Sequence, residues 1–198
     1  MVKVKICGIA TREDAIKLDK LGVDYLGFLL DPVSPRFVKP EFLGLLQGRV
    51  SRPKVSVMVN RGPKDILSQS GKLFTDIFQF HRILSNEELD LIPSLPRKSI
   101  LYVPASRRYR RYLEEALKVS DMILLDAERK GYPLDMSFVR EVLAEYKGIG
   151  VGGGINLTNL REFVELDPGW IDVSRGVEDF PGKKNIELVR KLLKEVGG

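Results

Sequence analysis

VKVKICGIATREDAIKLDKLGVDYLGFLL, residues 2–30, decides how this chain folds. Val2 to Ile6 alternates apolar and lysine side chains, the period of a strand. Thr11 is placed to cap a helix running through Lys20, with Glu13 and Asp14 in the first turn, where free backbone N–H groups favour negative charge. Asp24 to Leu30 then returns to a strand pattern. A strand, a helix and a second apolar strand make a crossover unit, which sets the two strands parallel.

The same unit recurs along the rest of the sequence. Strands are predicted at Lys54 to Val59, Asp76 to Phe80, Ser99 to Val103, Met122 to Leu125, Ile149 to Val151 and Trp170 to Val173. Helices are expected from about Pro40, after Pro63, over Asn86 to Ile92, from the arginine-rich segment after Ser106, from about Asp135, from a cap near Asn156, and from about Lys184. That is eight βα units of roughly 25 residues each. Strands this apolar are buried on both faces by helices. Eight uninterrupted units favour a closed (βα)8 TIM barrel over an open doubly wound sheet, and the lack of a Pro/Gly/Ser linker predicts one α/β domain over residues 1–198.

Composition narrows the class. The 198 residues are 43% hydrophobic and 30% charged, which suits a soluble globular protein. The apolar runs are strand-sized, far short of the roughly 20 residues that span a bilayer. No signal-like segment opens the sequence, so a cytoplasmic protein is expected. One cysteine excludes an internal disulfide, and one histidine leaves no zinc-like cluster, so no metal is expected. The high Lys, Arg and Glu content hints at a thermophilic source. The formal charge of +5 raises the question of nucleic acid. Arg107, Arg108, Arg110 and Arg111 are interleaved with Tyr109 and Tyr112, but Glu114 and Glu115 follow at the i+4 spacing of helical ion pairs. The cluster therefore predicts a solvated helix face. Neither nucleic acid nor membrane is expected as a partner; a mildly basic protein suits an anionic small substrate.

In parallel barrels the chemistry gathers where strands end. Those positions hold Cys7-Gly8, Asp31 to Arg36, Asn60-Arg61, His81-Arg82, Pro104-Ala105, Asp126, Gly152-Gly153-Gly154 and Ser174-Arg175-Gly176. The glycine-rich stretches around Gly153-Gly154 and Ser174-Arg175-Gly176 follow neighbouring strands, the second where barrels often place a short extra helix. Together they point to a phosphate site built from backbone N–H groups. Cys7 is a buried apolar filler by ordinary statistics, but at a strand end it is a candidate base if Lys5 or a helix end favours its thiolate. Asp126 closes an apolar strand, where an unpaired carboxylate is costly; a general acid is the sharper reading. Arg36 offers a fork for a carboxylate or phosphate, and His81 a substrate-contacting or supporting group.

Lys5-Ile6-Cys7-Gly8-Ile9 with Thr11-Arg12-Glu13-Asp14-Ala15 resembles the opening of the phosphoribosylanthranilate isomerase family. Asp24 to Phe28, Ser34-Pro35-Arg36, Val59-Asn60, Gln79-Phe80-His81, Leu124-Leu125-Asp126 and Asp172 to Glu178 are similar to its later motifs, in order along nearly the whole chain. The resemblance implies a cofactor-free Amadori rearrangement of N-(5-phosphoribosyl)anthranilate, the third step from chorismate to tryptophan. It implies Asp126 as general acid, Cys7 as general base, Arg36 against the anthranilate carboxylate, Asp172 near the sugar hydroxyls, and Gly153, Gly154, Ser174, Arg175 and Gly176 on the phosphate. The segment Ala127 to Asp135 departs from the family, being shorter and more charged, so the cover over the substrate must be built differently. The histidine-pathway isomerase performs the same chemistry with two aspartates, and Cys7 argues against it. A binding-only barrel gives no reason for Cys7 and Asp126 to share a mouth. The pattern is compatible with a monomer or a homodimer.

Overall fold

In the computed structural model, which describes residues 2–69, 74–129 and 131–197, eight parallel strands close into a barrel in sequence order. They are β1 (Lys3–Ile6), β2 (Tyr25–Leu29), β3 (Lys54–Met58), β4 (Ile77–Phe80), β5 (Lys98–Pro104), β6 (Met122–Asp126), β7 (Gly150–Val151) and β8 (Trp170–Val173). Pairing of Lys5 with Asp172 and of Ile6 with Val173 joins β8 back to β1. Helices α1 (Arg12–Leu21), α2 (Pro40–Gly44), α3 (Pro63–Leu67), α4 (Asn86–Leu91), α5 (Arg110–Val119), α6 (Met136–Glu145), α7 (Leu160–Val164) and α8 (Ile186–Gly197) follow the strands in turn. The Thr11 cap is formed: its side chain accepts from the Asp14 N–H at 3.1 Å.

Alternation along each strand sorts the side chains into two cores. Val4, Ile6, Leu26, Phe28, Phe78, Phe80, Leu101 and Ile123 pack outward against the helices. Val55, Val57, Ile77, Ile100, Leu124 and Trp170 fill the barrel interior with Cys7 at its upper edge. Tyr25 meets Trp170 edge-on, ring centroids 6.1 Å apart, at the lower end. Gly150 makes room for that indole: a Cβ there would stand 2.1 Å from the Trp170 ring. Gly150→Ala should therefore destabilise the barrel by about 1–3 kcal/mol through overpacking. Urea unfolding checks this, and an unchanged midpoint would mean that the ring shifts without cost.

Four local expectations need correction. Asn156 does not cap α7; its Oδ1 accepts from the Thr158 N–H at 2.8 Å in a tight turn, and α7 starts after Asn159. Lys184 does not open the last helix but lies in β10 (Lys183–Lys184), which pairs antiparallel with β9 (Glu178–Phe180). That ribbon stands where a short extra helix was anticipated, with Gly182 at φ 89° between its strands. The Asn185 side chain then accepts from the Leu188 N–H at 3.0 Å, starting α8. Finally, Arg110 does bind Glu114 at 3.0 Å, but Glu115 turns to Lys118 at 2.9 Å rather than to Arg111. Arg107 and Arg110 further pair with Glu141 and Glu145, and Arg108 with Glu128, so this basic segment is neutralised by its own surface.

Candidate active site

The strand ends surround a cavity of about 990 Å³. Cys7, Arg36, His81, Asp126, Gly153, Gly154, Asp172, Ser174, Arg175 and Gly176 all line it. The candidates are thus brought to one mouth from the ends of six strands and the loops that follow them. None of them lies elsewhere.

Cys7 is buried just beyond β1, its N–H donating to the Val173 carbonyl at 2.8 Å. The chain then turns through Gly8 at φ 81°. A Cβ on the facing Gly27 would come within 2.9 Å of Cys7 Cα, 3.1 Å of Sγ and 3.2 Å of Lys5 Cε, so this glycine leaves the space in which thiol and lysine sit. Lys5 itself is fully buried and binds both oxygens of Asp172, at 2.9 and 3.0 Å. Burial pushes the Cys7 thiol above its ordinary value; the Lys5 and Lys184 cations oppose this, while Asp172 adds to it. Lys5 does favour the thiolate, as anticipated, but desolvation outweighs it.

Asp126 ends β6, and its Oδ1 accepts from the Ala127 N–H at 2.6 Å. Glycine at 152 and 153 leaves the carboxylate room, since a Cβ would lie 2.8 and 3.3 Å from its oxygens. Burial, reinforced by the Asp172 charge, raises its pKa to about 7. His81 Nε2 lies 4.0 Å from Asp126 Oδ2. Burial lowers the imidazole to about 4, so His81 is neutral at ordinary pH and this contact is not an ion pair. The ring packs at a 36° tilt against Tyr102, centroids 4.6 Å apart, and its Nδ1 lies 3.3 Å from Gln79 Nε2.

The two glycine-rich loops are clamped together by a bridge between Asn156 and Gly176. Gly176 is required by proximity, since a Cβ would meet the Ile155 carbonyl at 2.1 Å; Gly153 and Gly154 are required by φ values of 103° and 81°. The charged segment after β6 brings Gly131, Tyr132 and Pro133 to the rim, and Leu134 packs over Gly153. Glu128 ties its start to Tyr109 at 3.1 Å and to Arg108. Lys130 of this segment lies outside the described residues. Among the described residues no three His, Cys, Asp or Glu side chains converge as a metal site would need.

Arg36 is more committed than its loop position suggested. Its Nε and Nη2 bind Glu178 at 2.8 and 2.6 Å, and Glu178 also accepts from the buried Lys184 at 2.7 Å. Glu178, Lys184 and the Lys5–Asp172 pairing were not foreseen as one set. The legible hint was a lysine at position 5 between outward-packing Val4 and Ile6, which by period two must point inward.

The model of the N-(5'-phosphoribosyl)anthranilate isomerase family matches residues 4–195. The chain belongs to this family. It is an enzyme, an isomerase of tryptophan biosynthesis. It is 45% identical over 198 residues to the N-(5'-phosphoribosyl)anthranilate isomerase of Saccharolobus solfataricus, covering 99% of this chain and 96% of that one. To the Sulfolobus acidocaldarius isomerase it is 42% identical over 99% of its length and 96% of the other's. The crystal structure of the Thermotoga maritima isomerase superposes with a TM-score of 0.86 at 31% identity, each chain covered in full at 100%. A second isomerase structure, bound to reduced 1-(o-carboxyphenylamino)-1-deoxyribulose 5-phosphate, matches at 0.84 and 31% identity, again over 100% of both chains.

Proposed function

We propose that this isomerase converts N-(5-phosphoribosyl)anthranilate to 1-(2-carboxyphenylamino)-1-deoxyribulose 5-phosphate by paired acid and base catalysis. The observation that carries the mechanism is a carboxyl group held protonated up to about pH 7 in the same cavity as a buried cysteine. Asp126 donates its proton to the furanose ring oxygen as the C1–O bond breaks, leaving an iminium between C1 and the anthranilate nitrogen. The Cys7 thiolate then takes the proton from C2, whose acidity the iminium provides, and the enolamine formed tautomerises to the ketone. The electron sink is the substrate's own nitrogen, so the sequence needs no added cofactor. Arg36 meets the anthranilate carboxylate, Asp172 and neutral His81 stand by the sugar, and the loops holding Gly153, Gly154, Ser174, Arg175 and Gly176 receive the phosphate. The reaction is the third step from chorismate, expected in the cytoplasm, on a monomer or homodimer.

The pH dependence has an unusual sign. The reactive form has Asp126 protonated and Cys7 ionised, although Asp126 titrates at about 7 and Cys7 above its ordinary 9.0. That form carries the same number of protons as the dominant one, in which the proton sits on the thiol instead. It is therefore a minor tautomer of the singly protonated site. Turnover, followed as the loss of anthranilate-type fluorescence, should give a kcat/KM that rises through about pH 7 and falls only above pH 9. A profile already falling at pH 7 would place the base below the acid and overturn this assignment. Absence of any turnover by folded protein would sink the function.

A further inference from the structure

Lys184 is a fully buried lysine that the acid–base steps do not use. Its ammonium donates to the Cys7 carbonyl at 2.6 Å, to Glu178 Oε1 at 2.7 Å and toward the Ser174 carbonyl at 3.4 Å. It thus touches the backbone of the proposed base, the phosphate loop and the Glu178 carboxylate that holds Arg36. Three donors meeting three acceptors is the geometry of a charged ammonium. Burial lowers its pKa and the Glu178 carboxylate counteracts this.

Lys5 is matched by Asp172, and Lys183 by Asp14, whose second oxygen accepts from the Lys184 N–H. Glu178, however, faces two cations, Arg36 and Lys184. If Arg36 and Glu178 stood alone they would form a neutral pair, and a substrate carboxylate approaching the guanidinium would meet Glu178 as a competitor. With Lys184 present the buried cluster keeps one unbalanced positive charge. Glu178 occupies Nε and Nη2 of Arg36, while Nη1 makes no bond to it.

We propose that Lys184 is a positioning residue that neutralises Glu178, so that Glu178 can orient Arg36 while the guanidinium keeps its charge for a carboxylate on the substrate. This rests on the reading of Arg36 as the carboxylate contact. It predicts a loss of carboxylate preference rather than a general loosening of the site.

The test uses two probes, the reduced product analogue 1-(o-carboxyphenylamino)-1-deoxyribulose 5-phosphate and its counterpart with a carboxamide in place of the ring carboxylate. Their dissociation constants are measured on folded wild type, Lys184→Met and Arg36→Met. Wild type should prefer the carboxylate, and Lys184→Met should shrink that preference by about tenfold. A purely structural role would weaken both probes alike and leave the ratio unchanged, which overturns the proposal. Arg36→Met separates the two readings. A preference kept there removes the Arg36 assignment and the proposal with it, whereas a preference lost there but kept in Lys184→Met removes the role of Lys184 alone. If Lys184→Met does not fold, the double variant Lys184→Met/Glu178→Gln removes the buried carboxylate together with its lysine. It should keep a ratio close to wild type, since Arg36 is again uncompensated; a collapsed ratio would overturn the charge argument.

Discussion

Asp126→Asn should lower kcat by about 10²–10⁴-fold while substrate still binds, because a positioned acid contributes on that scale and an amide cannot release a proton to the ring oxygen. The substitution is conservative in shape, and Asn Oδ1 can still accept from the Ala127 N–H now 2.6 Å from the carboxylate. The same variant should gain stability, and only at high pH. Asp126 has a folded pKa of about 7 against an ordinary 3.8, so the folded state holds its proton more tightly than the unfolded chain does. Stability from this group therefore falls as pH rises from about 4 to about 7, and stays low above. The cost at pH 8 is at most about 4 kcal/mol, and less in practice because part of the side chain meets solvent. Thermal melts of the two proteins should diverge at pH 8 and coincide at pH 4. Turnover near wild type would remove Asp126 from the acid role; equal melts at pH 8 would mean that burial does not strain the carboxylate.

Cys7→Ser should cost a comparable factor in kcat, about 10²–10⁴-fold, for the opposite reason. The site already holds the thiol above its ordinary pKa, and a hydroxyl in the same place is far harder still to ionise. Lys5 and Lys184 lower the Cys7 pKa but do not overcome burial, so little reserve exists for a weaker acid. The clearest measurement is exchange of the substrate's C2 hydrogen with deuterated solvent under single-turnover conditions. It should vanish in Cys7→Ser and persist in variants that only weaken binding. Full activity in Cys7→Ser would return Cys7 to the status of a packing residue. Serine is smaller than cysteine and fits the space that Gly27 leaves open beside Cys7, so a loss of activity could not be ascribed to overpacking.

Much of this molecule is legible one unit at a time. The eight strands, their order and the loops that carry chemistry follow from period-two apolar runs punctuated by helix caps, because burial between barrel and helices demands just that pattern. At two places a short-range alternative competes with the helix pattern. Asn156 looks like a helix cap by type, yet closes a turn with Thr158, and Lys183-Lys184 looks like the start of a helix, yet pairs with Glu178 to Phe180. Asn and Lys side chains satisfy either arrangement locally, so only the packing around them selects one.

By itself, the sequence determined that Cys7 follows the first strand, that Asp126 ends an apolar strand, and that glycines follow the seventh and eighth strands, since strand period and glycine's lack of a Cβ are local properties. Only the tertiary structure decided which charges meet. Lys5 and Asp172 are 167 residues apart, and Arg36 and Glu178 are 142, so both pairs exist only because the barrel closes. That closure strips water from Asp126, raising its pKa, and sets Lys184 against Glu178, leaving Arg36 its charge. Desolvation and the balance of buried charges belong to the assembled mouth, and no stretch of chain contains them alone.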